Sequence, residues 1–326
     1  MELCKKCVVP LDLSMEKYLP PNALPFHKDE QLCDACYNLK NDPNYVNYFG
    51  RENIFRKELD DFLSHRKRII FAYSGGLDST IVLDKLNFEC KSRGIELYCF
   101  TVDYGFKGSK AWDNIKNVIS FEGLKDHHEI IDIKNKKLQS GETVISYYCN
   151  FFDNGVLPCG INCNRILESV YKEVLKEFNE NILVTGGDTP IFNKKLSRYS
   201  IFAEKDGYTI LRGAVGFGLN KKENRDYIAK NKIPWTDPKY GGYDTDCLLP
   251  GAILRKNLEK STFEQDKIGW VVKNFPVVLD YLAPRVRWGI IRREDAIEML
   301  NKLDIGDEAS YAEIERIREK IAQNEI

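Results

Sequence analysis

FAYSGGLDST, Phe71 to Thr80, places two adjacent glycines, an aspartate and serine and threonine hydroxyls directly after an apolar run. Arg68-Ile69-Ile70-Phe71-Ala72-Tyr73 reads as a buried parallel strand, and Ile81-Val82-Leu83-Asp84-Lys85-Leu86 as the first turns of a helix. A strand, a glycine turn and a helix make an anion site. Glycine lets the backbone approach a charged ligand closely, and the unpaired N–H groups and dipole of a helix start favour phosphate. The expected ligand is a nucleotide. The turn is not the Gly-x-x-x-x-Gly-Lys-Ser/Thr loop, because no lysine stands before Ser79, and it is not Gly-x-Gly-x-x-Gly.

Outward from the turn, residues 51–66 read as an amphipathic helix leading into the first strand. Further strands are expected at Glu96 to Val102, His128 to Asp132, Asn181 to Thr185 and Tyr208 to Leu211, with helical stretches between most of them. Strands separated by helices argue for an α/β fold around a parallel sheet. Residues 251–326 carry helical patterns, among them Arg293 to Leu300 and Tyr311 to Gln323, whereas residues 1–50 are rich in Pro, Asn and Asp. The chain therefore divides into a small module at 1–50, a nucleotide-binding domain at 51–250 and a helical region at 251–326.

At 326 residues and 43% hydrophobic content the chain can bury a sizeable core. A net charge of −1 with 30% charged residues lacks the basic excess that accompanies extended nucleic-acid contacts, which favours a small-molecule substrate over tRNA. The start, Met1-Glu2-Leu3-Cys4-Lys5-Lys6, has no apolar stretch of signal-peptide type behind it, and no run of about 18 apolar residues occurs, so a cytoplasmic protein without membrane contact is expected. The oligomeric state is open, with a homodimer as one candidate.

Ten cysteines in a reducing compartment point to metal or catalysis. Cys4-Lys5-Lys6-Cys7 and Cys33-Asp34-Ala35-Cys36 repeat one spacing, and two such turns complete a tetrahedral zinc site that can stabilise a module lacking its own core. Cys90, Cys99 and Cys149 read as small buried hydrophobes. Cys159 and Cys163, in Pro158-Cys159-Gly160-Ile161-Asn162-Cys163, precede a helix whose start would lower a thiolate pKa, which suits them as nucleophile or ligand. Residues such as Arg285, Arg287 and Arg292 either contact an anionic substrate or are exposed. His27, His65, His127 and His128 show no ligand spacing, and Lys221 to Arg225 reads as a solvated helix face.

Ser74-Gly75-Gly76-Leu77-Asp78-Ser79 resembles the SGGxDS pyrophosphate loop of the ATP pyrophosphatases, the adenine nucleotide alpha hydrolase-like superfamily. The resemblance implies that Ser74, Gly75, Gly76, Leu77, Asp78, Ser79 and Thr80 grip ATP while its α phosphate passes to a substrate oxygen as AMP. It also implies that Asp103 lies near the adenosine. An adenylated oxygen leaves readily where a bare carbonyl or amide oxygen does not. The loop amides and hydroxyls would stabilise the departing pyrophosphate, and Asp78 could help hold magnesium.

The two ends of the chain, with Cys4 to Pro10, Phe26, Leu32 to Cys36 and Gly289 to Asp304, resemble bacterial N-acetyl sugar amidotransferases, which also carry the pyrophosphate loop. The middle resembles the tRNA thiolases that form two-thiouridine. Cys159 and Cys163, Val184-Thr185-Gly186-Gly187-Asp188 and Asp246-Cys247-Leu248-Leu249-Pro250 follow the order of that branch. There, three thiolates hold an iron–sulfur cluster whose open iron carries sulfide, or two of them relay sulfur as a persulfide. This chain has Cys-x-x-x-Cys where that branch has Cys-x-x-Cys, and Gly187 where it has His. The resemblance implies ATP, Mg2+ and Zn2+ as cofactors, with a 4Fe-4S cluster on Cys159, Cys163 and Cys247 as a further candidate. It assigns catalysis to Asp78, Ser79, Cys159 and Cys247 and nucleotide contact to Gly186. The favoured activity is adenylation followed by sulfur transfer from a sulfur donor. The alternatives are amidation with ammonia from a partner glutaminase and a nucleotide-binding scaffold without turnover.

Overall fold

The computed structural model describes residues 2–11, 27–41, 52–159, 161–193, 195–219, 221–241, 246–259, 277–302 and 305–323. Phe26, Gly160 and Asp304, named above, lie outside them. The run after Lys67 forms β1 (Arg68–Ala72), and its side chains alternate as a pleated strand requires: Ile69 and Phe71 enter one apolar layer and Ile70 the other. Buried on both faces, β1 belongs in the middle of a sheet. It pairs in parallel with β2 (Glu96–Asp103) and β4 (Ile182–Thr185). The six-stranded sheet continues through β3 (His128–Asp132) beside β2 and through β8 (Tyr208–Arg212) beside β4, both parallel. Its outer strand β7 (Phe202–Lys205) runs antiparallel to β8, and β5 (Ile191–Asn193) and β6 (Arg198–Ser200) form a separate hairpin.

Helices cover both faces, and a short first helix, α1 (Asp34–Asn41), carries Cys36. α2 (Glu52–Ser64), α3 (Leu77–Arg93) and α4 (Ser109–Phe121) supply Phe55, Leu59, Val82, Leu86 and Ile115 to the layer that holds Phe71. α5 (Val144–Asn154), α6 (Ile161–Glu177) and α9 (Leu249–Glu259) supply Tyr148, Phe152, Val170 and Ile253 to the layer that holds Ile70. That second layer also includes Leu282 and Val286 of α10 (Val277–Arg287), Leu300 of α11 (Arg293–Lys302), Ile314 of α12 (Glu308–Ala322) and the N-terminal cysteines. The short α7 (Gly213–Gly216) and α8 (Lys221–Lys230) complete the first layer. Among the described residues no helix is long and apolar enough to cross a membrane.

The strand order β3-β2-β1-β4-β8-β7 places the site. The chain runs outward from β1 to β2 and β3, then returns to the other side of β1 for β4. The loops after β1 and β4 leave in opposite directions and open a crevice at the carboxyl ends of the strands, where ligands of such sheets bind. FAYSGGLDST is the loop after β1.

Candidate nucleotide and thiol site

The glycine turn joins β1 to α3 in a closed geometry. The Ser79 hydroxyl donates to the Gly76 carbonyl at 2.9 Å and lies 2.9 Å from Ser74 Oγ, which accepts the Gly76 N–H at 3.2 Å. Gly75 has φ +86°, and a Cβ there would meet Ile115 Cγ1 at 2.7 Å, so only glycine fits both the backbone and the space. Across the crevice Gly186 abuts the start of α3, where a Cβ would lie 2.8 Å from Ser79 Cα.

The turn forms one wall of a cavity of about 470 Å³, within the usual range for small-molecule sites. Ser74, Gly76, Leu77, Asp78, Ser79 and Gly186 line it as expected. Thr80 and Asp103, expected at the nucleotide, have partners within the protein, and Gly75 is tied down through its carbonyl. The Gly75 carbonyl accepts the Trp235 indole N–H at 2.9 Å, and Thr80 is fully buried with Oγ1 3.0 Å from the Tyr73 hydroxyl. Asp103 caps its own loop by accepting the Gly105 N–H at 2.9 Å and pairs with Lys134 at 3.1 Å. Asp78 stands in the first turn of α3, where the dipole favours a carboxylate, and accepts the Asn224 amide at 2.7 Å.

The opposite wall comes from the C-terminal region, where Arg285 is one candidate for contact with an anion and Ile291 and Met299 fall in the Gly289 to Asp304 segment. Tyr281 and Arg285 of α10, with Ile291 and Met299, close the cavity. The Arg285 guanidinium donates to both carboxylate oxygens of Asp188 at 2.7 and 2.8 Å and lies 3.6 Å from the Tyr281 ring centre. Burial works against the Arg285 charge, yet Asp188, Tyr281 and Asp78 outweigh it and hold the guanidinium pKa above its usual value. Asp188 follows Gly186 and Gly187 on the loop after β4, so this buried pair fastens the C-terminal helices to the crevice.

Behind the glycine turn lies a second cavity of about 150 Å³ that shares Ala72, Ser74, Tyr171 and Asp246 with the first. Cys163, half-buried in the first turn of α6, is on its wall. Cys247 is buried and Cys159 half-buried. Tyr104 and Tyr148, whose ring centres are 5.5 Å apart, feel Cys163 and Cys247, and Tyr148 feels Cys159 as well. Burial pushes both phenols well above their ordinary range. Cys163, Cys247 and Cys159 add to this at Tyr148, and Cys247, Asp246 and Cys163 at Tyr104.

The N-terminal cysteines are arranged differently. Cys4, Cys7, Cys33 and Cys36 are buried, with every sulfur within 4.8 Å of the others. Among the described residues this is the group of three or more metal-type ligands drawn so close, and Cys159, Cys163 and Cys247 do not reach that proximity. The Cys33 N–H donates to Cys4 Sγ at 3.4 Å, the kind of backbone support that holds a thiolate. From the far end of the chain, Arg287 donates to Cys7 Sγ at 3.8 Å, and Arg293 donates to the Cys4 and Cys7 carbonyls, each at 3.1 Å. Sequence reasoning missed these contacts because nothing local marks Arg287 apart from its neighbours.

Fold and site together define a doubly wound α/β protein with a four-cysteine centre and, behind the glycine turn at the crevice, a small cavity lined in part by Cys163. No family model matches the chain. It is 25% identical over 302 residues to an uncharacterized protein of Methanocaldococcus jannaschii, covering 89% of this chain and 92% of that protein. It also bears a distant likeness to two solved structures. One is the U34-tRNA thiolase NcsA from Methanococcus maripaludis with its 4Fe-4S cluster, at 15% identity and TM-score 0.42, covering 92% of this chain and 88% of that one. The other is the NH3-dependent NAD synthetase from Campylobacter jejuni, at 13% identity and TM-score 0.34, covering 78% of this chain and 96% of that one.

Proposed function

We propose that the chain is an ATP pyrophosphatase-type transferase that adenylates a carbonyl or amide oxygen of a small substrate and then exchanges AMP for sulfur. The observation that carries this reading is the shared wall between the two cavities: Ser74 of the phosphate turn faces one and, with Cys163, lines the other. In the first step the substrate oxygen bonds to the α phosphorus, and the bond from that phosphorus to the bridging oxygen breaks. Pyrophosphate departs against the Gly75 and Gly76 amides and the Ser74 and Ser79 hydroxyls, the Gly76 amide turning from Ser74 Oγ to the ligand. Asp78 would hold magnesium, which supplies neutralising charge to the leaving group. In the second step hydrosulfide attacks the activated carbon, the bond from carbon to the AMP oxygen breaks, and loss of a proton leaves a thiocarbonyl. If sulfur arrives as a persulfide, a second cysteine must attack the mixed disulfide, and the resulting Cys–Cys bond needs a thiol reductant for the next turnover.

Cys4, Cys7, Cys33 and Cys36 would hold zinc, whose contribution is structural cross-linking of a segment with little core of its own. Cys159, Cys163 and Cys247 are not drawn into the proximity that ligands of one iron–sulfur cluster need, so they serve as thiols and no step runs through a cluster. The Cys163 thiol in the cavity behind the turn favours sulfur over ammonia, because amidation has no evident use for it. The test is incubation of labelled ATP with a small-molecule extract and sulfide. AMP and pyrophosphate should accumulate with a thiolated product, and Asp78→Ala should make none of them. Product formed from ammonia but not from sulfide would move the assignment to amidation. ADP and phosphate would remove the adenylation reading.

A further inference from the structure

Lys107 belongs to no recognised motif, yet its side chain is only 3% exposed, and a buried ammonium is tolerated only with compensating partners. Its Nζ donates to the Ser74 carbonyl at 2.8 Å and to Asp246 Oδ2 at 3.1 Å, and it lies 5.4 Å from the Tyr104 ring centre. Next to it the Phe106 carbonyl accepts the Leu248 N–H at 3.0 Å. The turn after β2 therefore holds the chain on both sides of Cys247, at Asp246 and at Leu248, and through the same lysine it holds the phosphate turn. Ser74 and Asp246 line both cavities, and Lys107 lines the smaller one with Cys163.

We infer that Lys107 is a positioning residue that couples occupancy of the phosphate turn to the placement of Cys247. This rests on the reading of the turn as the ATP site and goes beyond it by naming the link to the thiol. A buried ion pair is seldom the most stable way to fill its volume, since apolar residues of similar shape often serve as well. What this pair does provide is a fixed separation between two segments that are remote in sequence. A ligand that orders the turn also orders Asp246, and so restricts the local opening that a reagent needs to reach a buried thiol.

The experiment is alkylation of the full-length protein with iodoacetamide, with and without magnesium and a non-hydrolysable ATP analogue, read at each cysteine by peptide mass spectrometry. In the wild type the analogue should slow alkylation of Cys247 by about fivefold or more, the scale of ordinary site-to-site coupling. Cys90, packed in the opposite layer, should not respond. Lys107→Met should still bind the analogue but lose the slowing at Cys247, and Lys107→Arg, which keeps a cation and donors, should restore it. Should Lys107→Met fail to fold, Asp246→Asn cuts the pair from the other side and must show the same loss. Slowing that persists in the variant tested, or a wild-type Cys247 indifferent to bound analogue, overturns the coupling. An analogue that does not bind the wild type overturns the ATP reading itself, and the coupling falls with it.

Discussion

Cys4, Cys7, Cys33 and Cys36 face one another in a closed, buried group, whereas Cys159, Cys163 and Cys247 are not drawn together so closely and Cys163 lies on a cavity wall. The first arrangement suits a structural ion: with every sulfur turned inward, no coordination position is left for substrate. Burial works against the charge of Arg287, and Cys7, Cys36 and Cys33 outweigh it, which raises its pKa and makes it a support for ionised sulfur. In the second, Cys163 stands beside open space in the cavity behind the glycine turn, which is where a group that must bond to substrate has to stand. Under the proposed function one residue type serves closure at one end of the chain and chemistry in the middle, and geometry is what distinguishes the two groups.

The sharpest way to break this contrast is to remove thiols from each group in turn. Cys4→Ser with Cys36→Ser should abolish zinc retention, measured by elemental analysis, and lower stability by more than about 3 kcal/mol, the scale reserved for lost metal or disulfide sites. Zinc content unchanged in that variant would dissolve the assignment. Cys247→Ser should leave the melting temperature and zinc content near wild type and reduce thiolated product by on the order of a hundredfold or more, about 2.7 kcal/mol at the transition state. Full activity there would place the sulfur chemistry elsewhere.

Smaller effects sharpen the comparison. Arg287→Ala should weaken zinc retention against a chelator by about tenfold, as expected for loss of a group that supports a metal ligand. Cys99→Ala tests the third use of cysteine in this chain, as core packing. Cys99 is fully buried, and burial pushes its thiol well above the ordinary value, so no reactivity is expected. Its loss should cost about 1 kcal/mol in chemical denaturation, with zinc content and product formation unmoved.

Local signals made much of this legible. His128–Asp132 was read residue for residue, and the strands around the glycine turn to within a residue or two at each end, because long apolar runs and turn glycines mark them. The antiparallel strand Phe202–Lys205 and the Ile191–Asn193 hairpin escaped, since three or four residues carry too little periodicity. Arg285, Arg287 and Arg292 looked alike in sequence and meet three fates: one clamps Asp188, one donates to Cys7, and one pairs with Asp295 at 2.9 Å on the surface. Their spacing on the chain could not separate them, because Asp188 and Cys7 are remote in sequence and are met only through the packing of α10 against the core, whereas Arg292, beyond α10, pairs with Asp295 three residues on. Lys107 was invisible for the same reason, its partners being the turn at Ser74 and the distant Asp246.

The central claim is that the turn from Ser74 to Ser79 holds the pyrophosphate of ATP, and it can be measured without knowing the acceptor. In calorimetric titration the wild-type protein should bind ATP with magnesium, pyrophosphate should displace the nucleotide, and Ser79→Ala should weaken both ligands together by about tenfold or more, the loss of roughly one charge-assisted hydrogen bond. ATP that binds equally well to Ser79→Ala, or that pyrophosphate fails to displace, would contradict the account.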